Sequence, residues 1–281
     1  MILLFLINFL FAGGDSILVK KTEIKNFANA VSITSDAKDN IYILDATANQ
    51  IVKYNSRLEF IKRNGKLGWG DQQFDSPTYI DGSSGLDIFI SDGNNKRVMR
   101  YDLNLIPIAE LKTNLIDFPV DLRFSRPIAS LVLNSNQLFV IDGDNQRLVV
   151  YNDGRNPSSV FGNYNSGKGR LLRPEKLLKD GQNNIYVLDR EVNNILKYDN
   201  LGNYVNTISI ENLVTFAIYG NTLYMLNGKE IILYDLEKNI VSGKKIISDS
   251  SKKNKFRDIL ILNDKKYLLL GKNTLSLYQE N

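Results

Sequence analysis

The chain contains no cysteine and no histidine among its 281 residues. Without thiols there are no disulfides, no thiolate nucleophiles and no thiolate metal sites. Without imidazole, the usual general base near neutral pH and the commonest metal ligand are both missing. Ser-His-Asp and Cys-His catalysis are excluded, and nearly all zinc chemistry with them. Carboxylate, Lys, Tyr or Arg chemistry remains, or none. A dominant charge is absent as well. The 35 basic and 31 acidic residues leave a formal net charge of +4, far from the excess of a dedicated nucleic-acid binder. Sustained helical periodicity is found nowhere.

One long apolar run stands at the start, Ile2 to Ala12, reading ILLFLINFLFA. A bilayer span needs roughly 20 residues, so the run is too short to cross. It has the size of the apolar part of a signal peptide, and Ala12 and Gly14 supply small residues for cleavage after Gly14. No Lys or Arg precedes it, which departs from the usual pattern. The expectation is a leader at 1–14 and a mature domain at 15–281. That domain would be exported to the periplasm or beyond, soluble and monomeric. No Cys follows the run to carry a lipid anchor.

The strongest positive signal is self-similarity. Four ungapped segments run Asn40–Tyr54, Asp87–Tyr101, Gln137–Tyr151 and Asn184–Tyr198. Each has an alternating apolar strand, an Asp, a polar turn and a second strand ending in Tyr. The aspartates Asp45, Asp92, Asp142 and Asp189 lie 47, 50 and 47 residues apart, and the tyrosines keep the same spacings. So do Ala30, Pro77, Pro127 and Pro174, ahead of each motif. Two degenerate copies, Thr222–Tyr234 and Lys266–Tyr278, keep both strands but replace the Asp with Asn227 and Gly271. Further strands flank each motif, as in Leu58-EFIKR and Tyr204-VNTISI. Four strands in a unit of about 40–50 residues are a propeller blade. The expected fold is therefore all-β, a six-bladed β-propeller of four-stranded antiparallel blades. The last unit stops at Tyr278 one strand short, and a spare strand, Ile17–Ile24, precedes the first. Pairing the two would complete the last blade and remove the open edges that proteins avoid.

The linkers Asn64-GKLGWGDQQFDSP and Phe161-GNYNSGKGRLLRP, with the turns Asp92-GNNKRV and Asp142-GDNQRL, resemble those of the NHL repeat family. The likeness covers residues 17 to 278 and weakens in the last two units. It implies a platform for protein, peptide or RNA partners, or an enzyme of lyase or lactonase type. Fold alone does not decide among these. Gluconolactonase-like relatives hold a metal in the central channel with a Glu, an Asn and an Asp from innermost strands. Amidating-lyase relatives use a His-bound zinc, which this chain cannot supply.

Several motifs reduce to architecture. Gly162-NYNSGK-Gly169 resembles a phosphate loop, but Gly169 stands where Ser or Thr would hold magnesium and no helix pattern follows. Asp142-GDN lacks the later Glu of a calcium loop, so each repeated Asp is read as accepting backbone N–H bonds in its turn. The repeated tyrosines are read as packing between blades. A basic stretch, Lys244, Lys245, Lys252, Lys253, Lys255 and Arg257, is read as a solvated loop.

Two candidate sites remain. The channel positions one past the Pro register are Val31, Thr78, Ile128, Glu175, Leu213 and Arg257. Those two past it are Ser32, Tyr79, Ala129, Lys176, Val214 and Asp258. Thr78, Tyr79, Glu175, Lys176, Arg257 and Asp258 carry the polar chemistry. The other site is one loop face, where Trp69, Lys96, Arg97, Arg147, Tyr164, Lys168, Arg170 and Arg190 collect the residue types of binding hot spots. The expectation is a non-enzymatic module binding a protein, peptide or glycan through this face, with no catalytic residues, metal or cofactor. Nucleic acid is disfavoured. The alternative is a metal-dependent lactonase or sugar-ester hydrolase working in the channel.

Overall fold

The structure is a computed structural model and describes residues 16–113, 118–133, 136–248, 256–262 and 265–281. The expected leader at 1–14 and Lys252, Lys253 and Lys255 lie outside the described residues.

Strand β1 spans Ser16–Ile24. The first sheet holds β2 (Ala30–Ser35), β3 (Ile41–Asp45), β4 (Gln50–Tyr54) and β5 (Phe60–Asn64). The second holds β6 (Pro77–Asp81), β7 (Asp87–Asp92), β8 (Arg97–Asp102) and β9 (Pro107–Lys112). β10 (Pro127–Val132), β11 (Leu138–Asp142), β12 (Arg147–Asn152) and β13 (Asn156–Phe161) make the third. β14 (Pro174–Lys179), β15 (Ile185–Asp189), β16 (Asn194–Tyr198) and β17 (Tyr204–Ile208) make the fourth. The remaining strands are β18 (Thr215–Tyr219), β19 (Thr222–Leu226), β20 (Glu230–Asp235), β21 (Ile240–Ile247), β22 (Phe256–Ile261), β23 (Tyr267–Gly271) and β24 (Leu275–Glu280). With β1 they form one eight-stranded sheet, in the order β18-β19-β20-β21-β1-β24-β23-β22. The architecture is all-β and propeller-like, built from four-stranded antiparallel blades.

The leading strand pairs antiparallel with β24, from Leu18 opposite Glu280 to Ile24 opposite Leu275. It also pairs in parallel with β21 over Ser16–Leu18. This second pairing was not expected from the sequence. It fuses what would have been two sheets, so hydrogen bonding counts five sheets rather than six. The innermost strands nevertheless neighbour one another in cyclic order, β2, β6, β10, β14, β18, β22 and back to β2.

The repeated residues explain the repeated geometry. The turn between the second and third strands places Asn49, Lys96, Gln146 and Asn193 at φ of 53–54°, a left-handed conformation that Asn accepts more readily than Lys or Gln. The repeated Asp reaches out of this turn to the linker ahead of its own sheet. Asp45 accepts from the N–H groups of Ala28 and Asn29, Asp92 from Asp75, Asp142 from Ser125 and Asp189 from Arg173. Inside the turn, backbone N–H groups reach the Asp at Ala48 and Glu191, whereas Asp92 and Asp142 accept there from the side chains of Asn95 and Asn145. The tyrosines fasten the same linkers. Tyr151 donates to the Leu122 carbonyl at 2.8 Å and Tyr198 to that of Gly169 at 2.6 Å. Between sheets, buried apolar side chains form clusters shared by neighbours, such as Tyr42, Ile51, Ile88 and Met99 between the first two.

Candidate functional site

The residue that opens an inner strand marks the start of the channel lining. Proline, which has no N–H to give the ladder, is tolerated there, and the register shifts immediately after Pro77, Pro127 and Pro174. The same shift follows Ala30 and Phe256. Two layers of side chains result. The upper layer borders a cavity of about 200 Å³ lined by Thr78, Glu175, Arg190, Thr215, Arg257 and others. The lower layer is buried, with Ser32, Tyr79, Ala129, Lys176, Thr215 and Asp258 each at most 6% exposed.

The fifth unit corrects the sequence reading by one residue. Thr215 lies opposite Leu226 as Lys176 lies opposite Leu188, so Val214 and Thr215, not Leu213 and Val214, take the two channel positions. Leu213 instead packs in an interior cluster. That unit has lost both its Pro and its Asp, the landmarks that set the register elsewhere.

Thr215 completes the polar centre of the channel. Lys176 Nζ forms a short ion pair with Asp258 Oδ1 and lies 3.5 Å from the Thr215 hydroxyl. Thr215 donates to the same carboxylate oxygen at 3.3 Å, and the Ile33 N–H donates to the other at 3.0 Å. Tyr79 crosses the channel and donates to the Leu177 carbonyl at 2.9 Å. Burial, with the charges of Asp258 and Asp81 behind it, pushes the Tyr79 phenol well above its ordinary value, so it stays protonated as a donor. Above this layer Glu175 accepts from Arg190 Nε at 2.9 Å. Arg257 turns away from Asp258 toward Asn29 Oδ1, at 2.6 Å.

A divalent metal does not fit these donors. Both Asp258 oxygens already accept protein hydrogen bonds, and Glu175 is paired with Arg190. Among the described residues no group of three acidic side chains converges on one point.

The loop face divides into two sets. Arg97 is 1% exposed and is no surface residue. Its guanidinium bonds Asp92, the carbonyls of Trp69, Gly70 and Gln73, and Glu110. Arg147 repeats the arrangement, with Asp142 and the Arg123 carbonyl. Arg190 is held by Glu175, Asn193 and the carbonyls of Leu213 and Val214. These three are structural clamps, because each guanidinium, buried in Arg97 and half-buried in Arg147 and Arg190, is held by acceptors that the turns and linkers provide. The exposed set is Trp69, Lys96, Tyr164 and Lys168, with Arg170 stacked 4.5 Å over the Tyr164 ring. Trp69 is 74% exposed, and its loop is fixed by Arg97, by Asn95 to the Gly68 carbonyl and by Gln73.

No protein-family model matches the sequence, and a search of curated proteins finds no match. Solved structures do resemble the fold. A streptogramin B lyase aligns over 90% of this chain and 80% of its own, with a TM-score of 0.62 and 13% identity. Virginiamycin B lyase from Staphylococcus aureus aligns over 92% and 98%, at 0.62 and 14%. A catalytically inactive His-to-Ala variant of that lyase with quinupristin aligns at 0.60 and 16%. These similarities define the class as a β-propeller. The neighbours are enzymes, whereas the present chain has no histidine at all. Among the described residues no helix is long and apolar enough to cross a membrane.

Proposed function

We propose that the protein is a six-bladed propeller of NHL-like repeats, with its fused sheet counted as two blades, and that it is exported. Its working site is the central channel, where it acts on a small ester or lactone without a metal. The observation that carries this reading is the desolvated Lys176–Asp258–Thr215 centre, with Tyr79 beside it, beneath a cavity rimmed by Glu175, Arg190 and Arg257. Fixed donors in a dry site stabilise charge developing on a carbonyl oxygen far better than water does. Lys176 is a donor of that kind, because two of its three N–H groups point to Asp258 and Thr215 and one is left over. Glu175 is the one carboxylate at the mouth with surface exposure, and it takes the role of base. The enzymatic fold neighbours support the channel over the loop face. So does the consumption of Arg97, Arg147 and Arg190 in internal bonds.

Purified protein incubated with a panel of lactones and sugar esters, with quinupristin added because a fold neighbour is described with it, tests the reading by mass spectrometry of the products. Turnover that Glu175→Gln abolishes is the expected result. Intact substrates throughout the panel would return the protein to the second reading, a non-enzymatic module. That reading is favoured by one observation, the exposed Trp69 on its fixed loop, and would be tested by partner capture with Trp69→Ala.

A further inference from the structure

The mouth of the channel carries one positive charge in excess. The charged residues lining its cavity of about 200 Å³ are Lys176, Arg190 and Arg257 against Glu175 and Asp258. Lys176 is matched by Asp258 and Arg190 by Glu175. Arg257 is left over. Among the described residues it has no acidic partner. Both of its hydrogen bonds leave from Nη1, to Asn29 Oδ1 at 2.6 Å and to the Ala30 carbonyl at 3.3 Å.

Those two acceptors, from the start of the first blade, hold the guanidinium in place. Its Nε and Nη2 make no bond to the described residues. That edge carries two parallel N–H groups, the geometry that takes a carboxylate through both of its oxygens. Arg190 offers nothing comparable, because its Nε, Nη1 and Nη2 are all engaged within the chain. Arg257 is also exposed while lining the cavity, so a ligand in the mouth can reach it.

The rest of the lining sets further conditions. Lys176 keeps one N–H for a carbonyl oxygen. Val31 and Ile128 make part of the wall apolar. A neutral ester leaves Arg257 unmatched, and a dianion such as a phosphate monoester exceeds the single surplus charge. An aliphatic piece with one carboxylate at one end and the reacting carbonyl at the other meets all three demands. On the footing that the channel is the working site, we infer that its substrate is an ester or lactone bearing a separate carboxylate, held by Arg257 while the reacting carbonyl meets Lys176.

Isothermal titration of the full chain with succinamate, glutaramate and adipamate tests this. Each pairs a carboxylate with an amide in place of the ester, so the readout is binding and needs no turnover. The neutral controls are the three corresponding diamides. Saturable binding of at least one half-amide is expected, with its diamide weaker by about tenfold or more, the worth of a charge-assisted hydrogen bond. Arg257→Gln should erase that preference, and Arg257→Lys should keep part of it, because the charge remains and the two-pronged edge does not. Lys168→Gln, an exposed cation on the loop face, should leave it unchanged. The inference is overturned if no half-amide binds, if half-amide and diamide bind equally, or if the preference survives in Arg257→Gln. A carboxylate preference without turnover of any ester would sink the hydrolytic reading alone. Turnover of esters without that preference would sink this inference alone.

Discussion

Replacing Arg97 with Met separates a clamp from a contact residue. In the folded chain Asp92 is fully buried and Arg97 is 1% exposed, with Nε 2.9 Å from Asp92 Oδ2. Removing the cation leaves a buried carboxylate with only neutral donors, Asn95 and the Asp75 N–H. Breaking a buried pair in this way costs about 3–5 kcal/mol. At roughly 2 °C per kcal/mol, the low end for domains of this size, Tm should fall by about 6–10 °C. The pH dependence has a definite sign. Burial already raises the Asp92 carboxyl above its ordinary value, so the folded state holds its proton more tightly than the unfolded state. Stability tied to this group therefore rises as pH falls, and Arg97→Met should regain part of its loss on acidification. Calorimetry gives Tm. Fluorescence of Trp69, the single tryptophan, reports the loop that Arg97 holds through three carbonyls. In a double-mutant cycle with Asp92→Leu, the pair should show strong coupling. A Tm within about 2 °C of wild type, with unchanged Trp69 emission, would refute the clamp and restore Arg97 to the surface set.

Lys176→Met should destabilise by a similar 3–5 kcal/mol, because it strands the buried Asp258. Adding Asp258→Asn should recover much of that loss in chemical denaturation. Glu23 is held down to about 2, first by Lys25 and then by Lys20. Its contribution is present above the ordinary carboxylate value of 4.5 and is lost as pH falls toward 2. Glu23→Gln should accordingly flatten that stretch of an acid-unfolding curve, and an unaltered curve would contradict the assignment. Deleting Ser16–Ile24 bares the edges of both β21 and β24. Aggregation on light scattering is the expected outcome, and a monodisperse variant with wild-type Tm would show that the strand is dispensable.

Much of the fold could be read in the chain because the same residues solve the same problem repeatedly. Asp45, Asp92, Asp142 and Asp189 each tie a linker to a turn, so the repeat is written in polar side chains that need partners. Where those partners are lost the register can slip, as it does by one residue at Thr215 in the fifth unit, although the sixth unit keeps Asp258 in place without them. Arg97 belongs by sequence to the loop between two motif strands, beside Lys96, and so reads as part of the loop face. Nothing local reveals that three carbonyls from a linker 24–28 residues upstream converge on it. The parallel contact of β1 with β21 spans only three residue pairs and carries no pattern that a periodicity search can see.

The place of β1 between β21 and β24 has a consequence for the order of assembly. Strand β1 finds both its neighbours only after β24 has been made, since Leu18 sits opposite Glu280. Contacts so distant along the chain form slowly. Each earlier sheet can settle on local hairpins, while the opening segment waits unpartnered. When it docks, it seals two sheets in one movement, like a clasp that a necklace must bring round to its own beginning.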